Sequence, residues 1–357
     1  MSYQWPLDPA DLFEERYQAI VALGVPSEDV DGVRASITDM WSDAPGGWVY
    51  EWSQLAKSYA DAGEHLLASK AYGWAKFPTL ADQPKRDALA NQLEQYLLAA
   101  PGFGIDFERR MLQLPHQGDT VPVPVHLFTP AAAKADDPIV IASGGVDGWK
   151  MDVHGIMVQL ADRLGMRVLA FDIAGTGEST VPMTGDGGGE IVRGLADFAR
   201  GLGNGIVIHI GISMGGYYSA RSGLAGDVDL AVDWGGPVTD TFKAIPSHYG
   251  MAGIIGNALG FSSHPAEPVI LERFGAFDLQ SLLDRDDNVP MLIINGDNDV
   301  HIELSDSTVF EGRRDTTVKL FAGSPHCAMD RPQEVLTNIA DWIDSVMSST
   351  RSTEVVR

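Results

Sequence analysis

Cysteine is almost missing from this chain: Cys327 is the single one in 357 residues. No intramolecular disulfide can form, and a thiolate-rich metal centre is excluded. No HExxH-type element is present either, so no metal is expected. Cationic charge is scarce, with 25 Lys+Arg against 49 Asp+Glu and a formal net charge of −24. Such a field repels phosphate backbones, which makes nucleic acid an unexpected partner. The acidity is not a tail, because residues 1–100 alone hold 15 acids against 7 bases. Apolar runs long enough to span a bilayer are lacking, so a membrane is not an expected partner. The N-terminal "MSYQWPLDPADLFEERY" has no basic segment leading into an apolar one, and a cytoplasmic location is the expectation.

What is present divides in two. The length suits one large α/β domain plus a smaller one. Residues 1–103 read as all-helical. Asp8 and Asp11 are candidate caps of a first helix, and Ser27 precedes a second that runs to about Met40. Trp52, Leu55, Tyr59, Leu66, Tyr72 and Trp74 follow at helical spacings, and "DQPKRDALANQLEQYLLAA" makes another helix. The spacing of small and aromatic residues there suggests one tetratricopeptide-type helix pair. One repeat cannot bury its own face, so the aromatics are assigned to a packing core rather than to a solenoid.

The pattern changes at "PGFGIDF". "ERRMLQLP" and "VPVPVHLFTP" are two strands with a turn at Gln117-Gly118-Asp119. Apolar strands then alternate with helical segments: "PIVIASGG", "RVLAFD", "GIVIHIG", "VDLAVDWGG", "VPMLIINGD" and "TTVKLFAG". Continuous apolar runs suit parallel strands covered on both faces, and the alternation implies a doubly wound sheet. Residues 104–350 form this second domain, with a strand-free stretch at about 237–286 read as a helical lid and 351–357 as a tail.

One strand ends in Gly211-Ile212-Ser213-Met214-Gly215 and leads into a helical segment. A serine flanked by glycines has no packing use at that place. At a strand-to-helix turn it is a nucleophile elbow, with the helix N-terminus beside it to stabilise negative charge. A base and an acid must then follow. "MLIINGDNDVHI" offers Asp297 and Asp299 after its strand, and the distance from Gly296 favours Asp299, leaving Asp297 a turn role. His326, in the Gly-Ser-Pro loop after the last strand, is the base. His301 and His248 are weaker candidates. Cys327 has no elbow of its own and is not read as the nucleophile.

Gly144-Gly145 close an earlier strand. The N–H of Gly145 or Val146 can pair with that of Met214 as an oxyanion hole. "FDIAGTGEST" lacks the lysine of a phosphate loop, so Asp172, Gly175 and Gly177 are read as structural. Asp147, Asp233, Trp234, Asp240 and His248 are candidates for the substrate pocket.

Together, "ASGGVDGWKMD", "FDIAGTGEST", "GISMGGYYSAR", "DWGGPV" and "GSPHC", behind a helical segment of this length, resemble the α/β-hydrolase superfamily. The narrower resemblance is to the branch holding 2,6-dihydroxypseudooxynicotine hydrolase, fungal polyketide-shortening pigment hydrolases and fermentation-respiration switch esterases. It implies a cofactor-free homodimeric hydrolase with its site between the two domains and a small-molecule carbonyl substrate. Several relatives cleave a C–C bond beside a ketone with the help of an additional carboxylate, for which Asp147, Asp233 and Asp240 are the candidates here. An esterase or lactonase needs only the triad. A non-catalytic binding protein on the same fold is the alternative outside enzymology, and an intact Ser213–Asp299–His326 set argues against it.

Overall fold

The computed structural model describes residues 3–244 and 250–354. Five helices come first: α1 Pro9–Ala22, α2 Ser27–Ser36, α3 Trp48–Asp61, α4 His65–Ala75 and α5 Gln83–Ala99. Asp8 caps α1 by accepting the Ala10 N–H at 2.8 Å, and Asp82 caps α5 by accepting that of Lys85 at 3.0 Å. α2 stops at Ser36, short of Met40. The Asp39 carboxylate takes the N–H groups of Trp41 and Ser42 at 2.7 and 2.6 Å, and such a local side-chain turn competes with the helix. Phe13, Trp48 and Trp52 pack ring against ring inside these helices, so these aromatics form core.

A hairpin of β1 Asp106–His116 and β2 Asp119–Thr129 follows. Gln117 and Gly118, with φ of 52° and 82°, make the two-residue turn that matches strand twist. Next come β3 Ile139–Ser143, α6 His154–Leu164, β4 Arg167–Phe171, α7 Gly185–Arg200, β5 Val207–Ile212, α8 Met214–Ala225 and β6 Leu230–Trp234. The described part of residues 237–286 holds a short 3-10 turn, Asp240–Lys243, and helices α9 Met251–Ala258, α10 Glu267–Gly275 and α11 Gln280–Leu283, with no strand. β7 Met291–Gly296, α12 Leu304–Thr308, β8 Thr316–Phe321 and α13 Pro332–Glu354 complete the chain, α13 running into the segment expected to be a tail.

The strands form one eight-stranded sheet in the order β1-β2-β4-β3-β5-β6-β7-β8. β2 pairs antiparallel with β1 and β4, and the remaining pairs are parallel. Ile139 and Ile141 of β3 belong to the buried cluster that takes in α7 and the N-terminal helices, while Val140 and Ala142 belong to the one on the α6 and α13 side. This two-sided burial explains why the strands read as unbroken apolar runs. The chain builds β4 on one side of β3 and then places β5 on the other. That reversal opens a crevice at the carboxyl ends of β3 and β5, where ligands bind in open α/β sheets. Among the described residues, no helix is long and apolar enough to cross a membrane.

Candidate active site

Ser213 stands at the turn between β5 and α8 with φ 56° and ψ −126°. That backbone is strained for a residue with a side chain, and it aims the hydroxyl away from the sheet. The flanking glycines are required by contact. A β-carbon at Gly211 would overlap the Gly215 carbonyl, and one at Gly215 would overlap that of Gly144.

Ser213 Oγ lies 3.0 Å from His326 Nε2, and His326 Nδ1 lies 2.6 Å from Asp299 Oδ2. Asp299 also accepts from Asn295 Nδ2 at 2.9 Å and from the His301 N–H at 2.8 Å. Burial pushes its carboxyl up, but the His326 contact, Asn295 and the His301 N–H outweigh burial and hold it below its ordinary value. At His326, burial pulls the imidazole down, while Cys327 and Asp299 push it up, and the net direction is upward. Burial raises the Cys327 thiol itself, which stays protonated near neutral pH, so there the upward push comes from Asp299. Asp297 serves the turn instead, accepting the Gly323 N–H at 2.6 Å and tying the acid loop to the histidine loop.

Asn295 was not singled out from the sequence. Its Oδ1 accepts the Cys327 N–H at 2.8 Å while its amide holds Asp299, so one side chain ties the Asp299 loop to the residue after His326. The signal is an amide at the end of an otherwise apolar strand. Trp234, expected in the pocket, is instead buried beneath it, with Nε1 donating to the Cys327 carbonyl at 2.6 Å. Asp233 is likewise under the floor, 1% exposed, accepting the Gly236 N–H at 2.7 Å. Strand alternation cannot separate lining from floor when both faces are buried. Asp240 pairs with Lys243 away from the cleft. His248 lies outside the described residues.

Gly145 sits against Ser213, where a β-carbon would fall 2.9 Å from Ser213 Cβ. Its own N–H, however, donates to the Gly148 carbonyl at 2.9 Å and is turned away from an oxyanion. Among the described residues, the N–H groups of Val146 and Met214 donate to no other group, which leaves these two to face a developing charge.

The cleft over Ser213 has an empty volume of about 540 Å³, with Met183, Met251, Ile255 and Phe274 among its apolar walls. Asp147 lines it, together with Arg16 and His301. Arg16, from α1, pairs with Asp147 at 2.8 Å. Burial raises the Asp147 carboxyl, but Arg16, His301, His326 and a backbone N–H together outweigh it and hold it below its ordinary value. Burial pulls His301 down to about 4, so its imidazole is neutral at pH 7, and pushes Glu15, 3.9 Å away, up to about 7.

The N-terminal helices therefore hold the loop after β3. Arg16 grips Asp147, while Lys76 and Gln92 grip Asp152 at 2.7 Å each. No sequence motif marks these residues, because each partner lies far along the chain. Among the described residues, no group of three or more His, Cys, Asp or Glu side chains is arranged to hold a metal ion.

No family model matches the chain. Esterase FrsA of Photobacterium profundum is 28% identical over 155 residues, 38% of this chain and 35% of its own, so the chain spans about a third of that curated relative. Among solved structures, AbyA5 superposes with a TM-score of 0.77 at 19% identity, covering 93% of this chain and 94% of its own. The 2,6-dihydroxy-pseudo-oxynicotine hydrolase gives 0.75 at 21%, covering 91% and 94%. Coverage this high reaches into the N-terminal helices as well as the sheet. The chain has the α/β-hydrolase fold, in the form that carries a helical N-terminal segment ahead of the sheet.

Proposed function

We infer that the protein is a hydrolase in which Ser213 attacks the carbonyl carbon of a small molecule. The observation carrying this reading is the unbroken path from Asp299 through His326 to Ser213 at the base of an apolar cleft. Asp299 holds the imidazole tautomer. His326 takes the Ser213 proton as the hydroxyl adds, the N–H groups of Val146 and Met214 receive the oxyanion, and His326 then protonates the leaving group. Water repeats the sequence and releases the acid.

The bond we favour is a C–C bond beside an activated ketone in an aromatic or polyketide-like molecule. Its leaving group is an enolate, and an enolate needs polar groups on an otherwise apolar wall. Arg16, Asp147 and the neutral His301 stand together on that wall and support this reading. Of the earlier carboxylate candidates, Asp147 is the one in position. The second reading is an ester or lactone, supported by the relative named an esterase and by a triad that needs no further carboxylate.

The test is fluorophosphonate labelling of the intact protein with peptide mapping, beside parallel assays of a short-chain nitrophenyl ester and an aryl β-diketone. A single adduct on Ser213, lost in Ser213→Ala, is expected, with turnover of the diketone. Turnover of the ester alone would select the second reading. Full activity in Ser213→Ala would sink both.

A further inference from the structure

A second cleft, with an empty volume of about 570 Å³, lies between the N-terminal helices and the loop after β3. Arg16 and Asp147 line both it and the cleft over Ser213, so their ion pair stands as a partition between the two. The charged walls of the second cleft are Arg16, Lys70 and Lys76 against Asp147 and Asp152, with Trp74 providing an aromatic face. A local surplus of cation is unexpected in a chain of net charge −24.

The surplus is Lys70. Arg16 is committed to Asp147 at 2.8 Å, and Lys76 to Asp152 at 2.7 Å, standing 4.0 Å over the Trp149 ring. Among the described residues, the Lys70 ammonium has neither a carboxylate nor a hydrogen-bond partner. Burial alone pulls it down, with no acid nearby to offset the cost. An unpaired, half-buried cation is costly, and an arriving anion would relieve that cost.

We propose that the second cleft is the distal half of the substrate site, where Lys70 receives a carboxylate at the far end of an elongated substrate whose carbonyl lies over Ser213. One uncompensated charge suits a monoanion. A phosphate would call for a second free donor, and the other two cations are already paired. The Trp74 face covers the apolar chain leading to the carboxylate. Joining the halves requires Arg16 and Asp147 to part or to let the chain pass beside them. The substrate assignment rests on the hydrolase reading above, whereas carboxylate binding by Lys70 does not.

Two measurements test it on wild type, Lys70→Met and Lys70→Arg, with matched thermal unfolding as the folding control. Calorimetric titration with straight-chain α,ω-dicarboxylates should show binding to wild type and Lys70→Arg. In Lys70→Met it should weaken by at least about ten-fold, the size of one charge-assisted contact. Nitrophenyl esters ending in a carboxylate or in a methyl group should give a kcat/KM ratio that favours the anion in wild type. That ratio should fall by about the same factor in Lys70→Met and recover in Lys70→Arg. Absent dicarboxylate binding, or equal affinity in wild type and Lys70→Met, overturns the proposal. Lys70-dependent binding without turnover of either ester would keep the carboxylate site and sink the ester reading instead.

Discussion

Two clusters of buried charge stand at the carboxyl edge of this sheet. In one, Asp299 and His326 lead to Ser213. In the other, after β4, Lys150 Nζ lies 2.5 Å from Asp172 and 2.8 Å from Glu178, which pairs in turn with Arg109 at 2.6 Å. Both have short contacts and little exposure. They differ in completeness. Asp172 also accepts the N–H groups of Lys150 and Glu178 at 2.9 Å each, so every charge there has an opposite one against it. Burial pulls Lys150 down, yet Asp172 and Glu178 raise it above its ordinary value, so it stays charged. The Ser213 cluster ends instead on a neutral hydroxyl facing an open cleft, beside a histidine that Asp299 holds above its ordinary value. Short contacts alone do not distinguish the two. A titrating member with one side toward a cavity does.

The largest expected effect is on the open cluster. Ser213→Ala should lower kcat by roughly 10⁴–10⁶-fold while leaving the unfolding temperature near that of wild type. A similar loss of stability would erase the contrast. Asp299→Asn should cost roughly 10³–10⁴-fold and change the pH profile as well. The working base is neutral His326, so activity rises with pH through its pKa, which Asp299 holds above the ordinary value. Removing that charge leaves burial dominant, and the acid limb should move to lower pH. A limb that stays in place would mean that Asp299 does not control the imidazole.

The closed cluster should behave in the opposite way. Lys150→Met leaves buried Asp172 without its cation, while Glu178 keeps Arg109, and should cost about 3–5 kcal/mol of stability, read from denaturant unfolding. Its fluorophosphonate labelling should fall only in proportion to the folded fraction.

The smallest effect sharpens the same point at a single acid. Burial pushes Asp233 up to about 8 in the folded chain, and its Oδ2 finds no hydrogen-bond partner among the described residues. An acid whose folded pKa exceeds the unfolded value makes the protein bind more protons when folded. Its favourable share is complete below the unfolded pKa and is lost as pH rises toward 8. Asp233→Asn should therefore raise stability by on the order of 1–3 kcal/mol at pH 8 and much less at pH 5. An equal shift at both pH values would show that the carboxyl is not protonated in the fold.

Much of this was legible in the residues. The five strands β3 to β7 declared themselves because burial on both faces leaves apolar runs. Ser213 stood out because glycines on either side of a serine serve no purpose inside a strand. Asp299 and His326 followed from their places at later strand ends. The floor and the walls of the site were not legible. Asp233 and Trp234 directly end a strand beside the nucleophile, yet both point beneath it. Gly145 has the right position, but its N–H is already spent within its own turn.

The sequence by itself determined the local events: which segments become strands and helices, where the chain turns, and which turn carries a serine between glycines. Those follow from periodicity, glycine tolerance and side-chain capping within a few residues. Only the tertiary structure decided what surrounds Ser213. Arg16, Lys76 and Gln92 hold the loop after β3 from helices encoded long before it, and Asn295 links Asp299 to the turn after His326. Ion pairs and hydrogen bonds act through space over a few ångströms, so their partners leave no periodic trace along the chain.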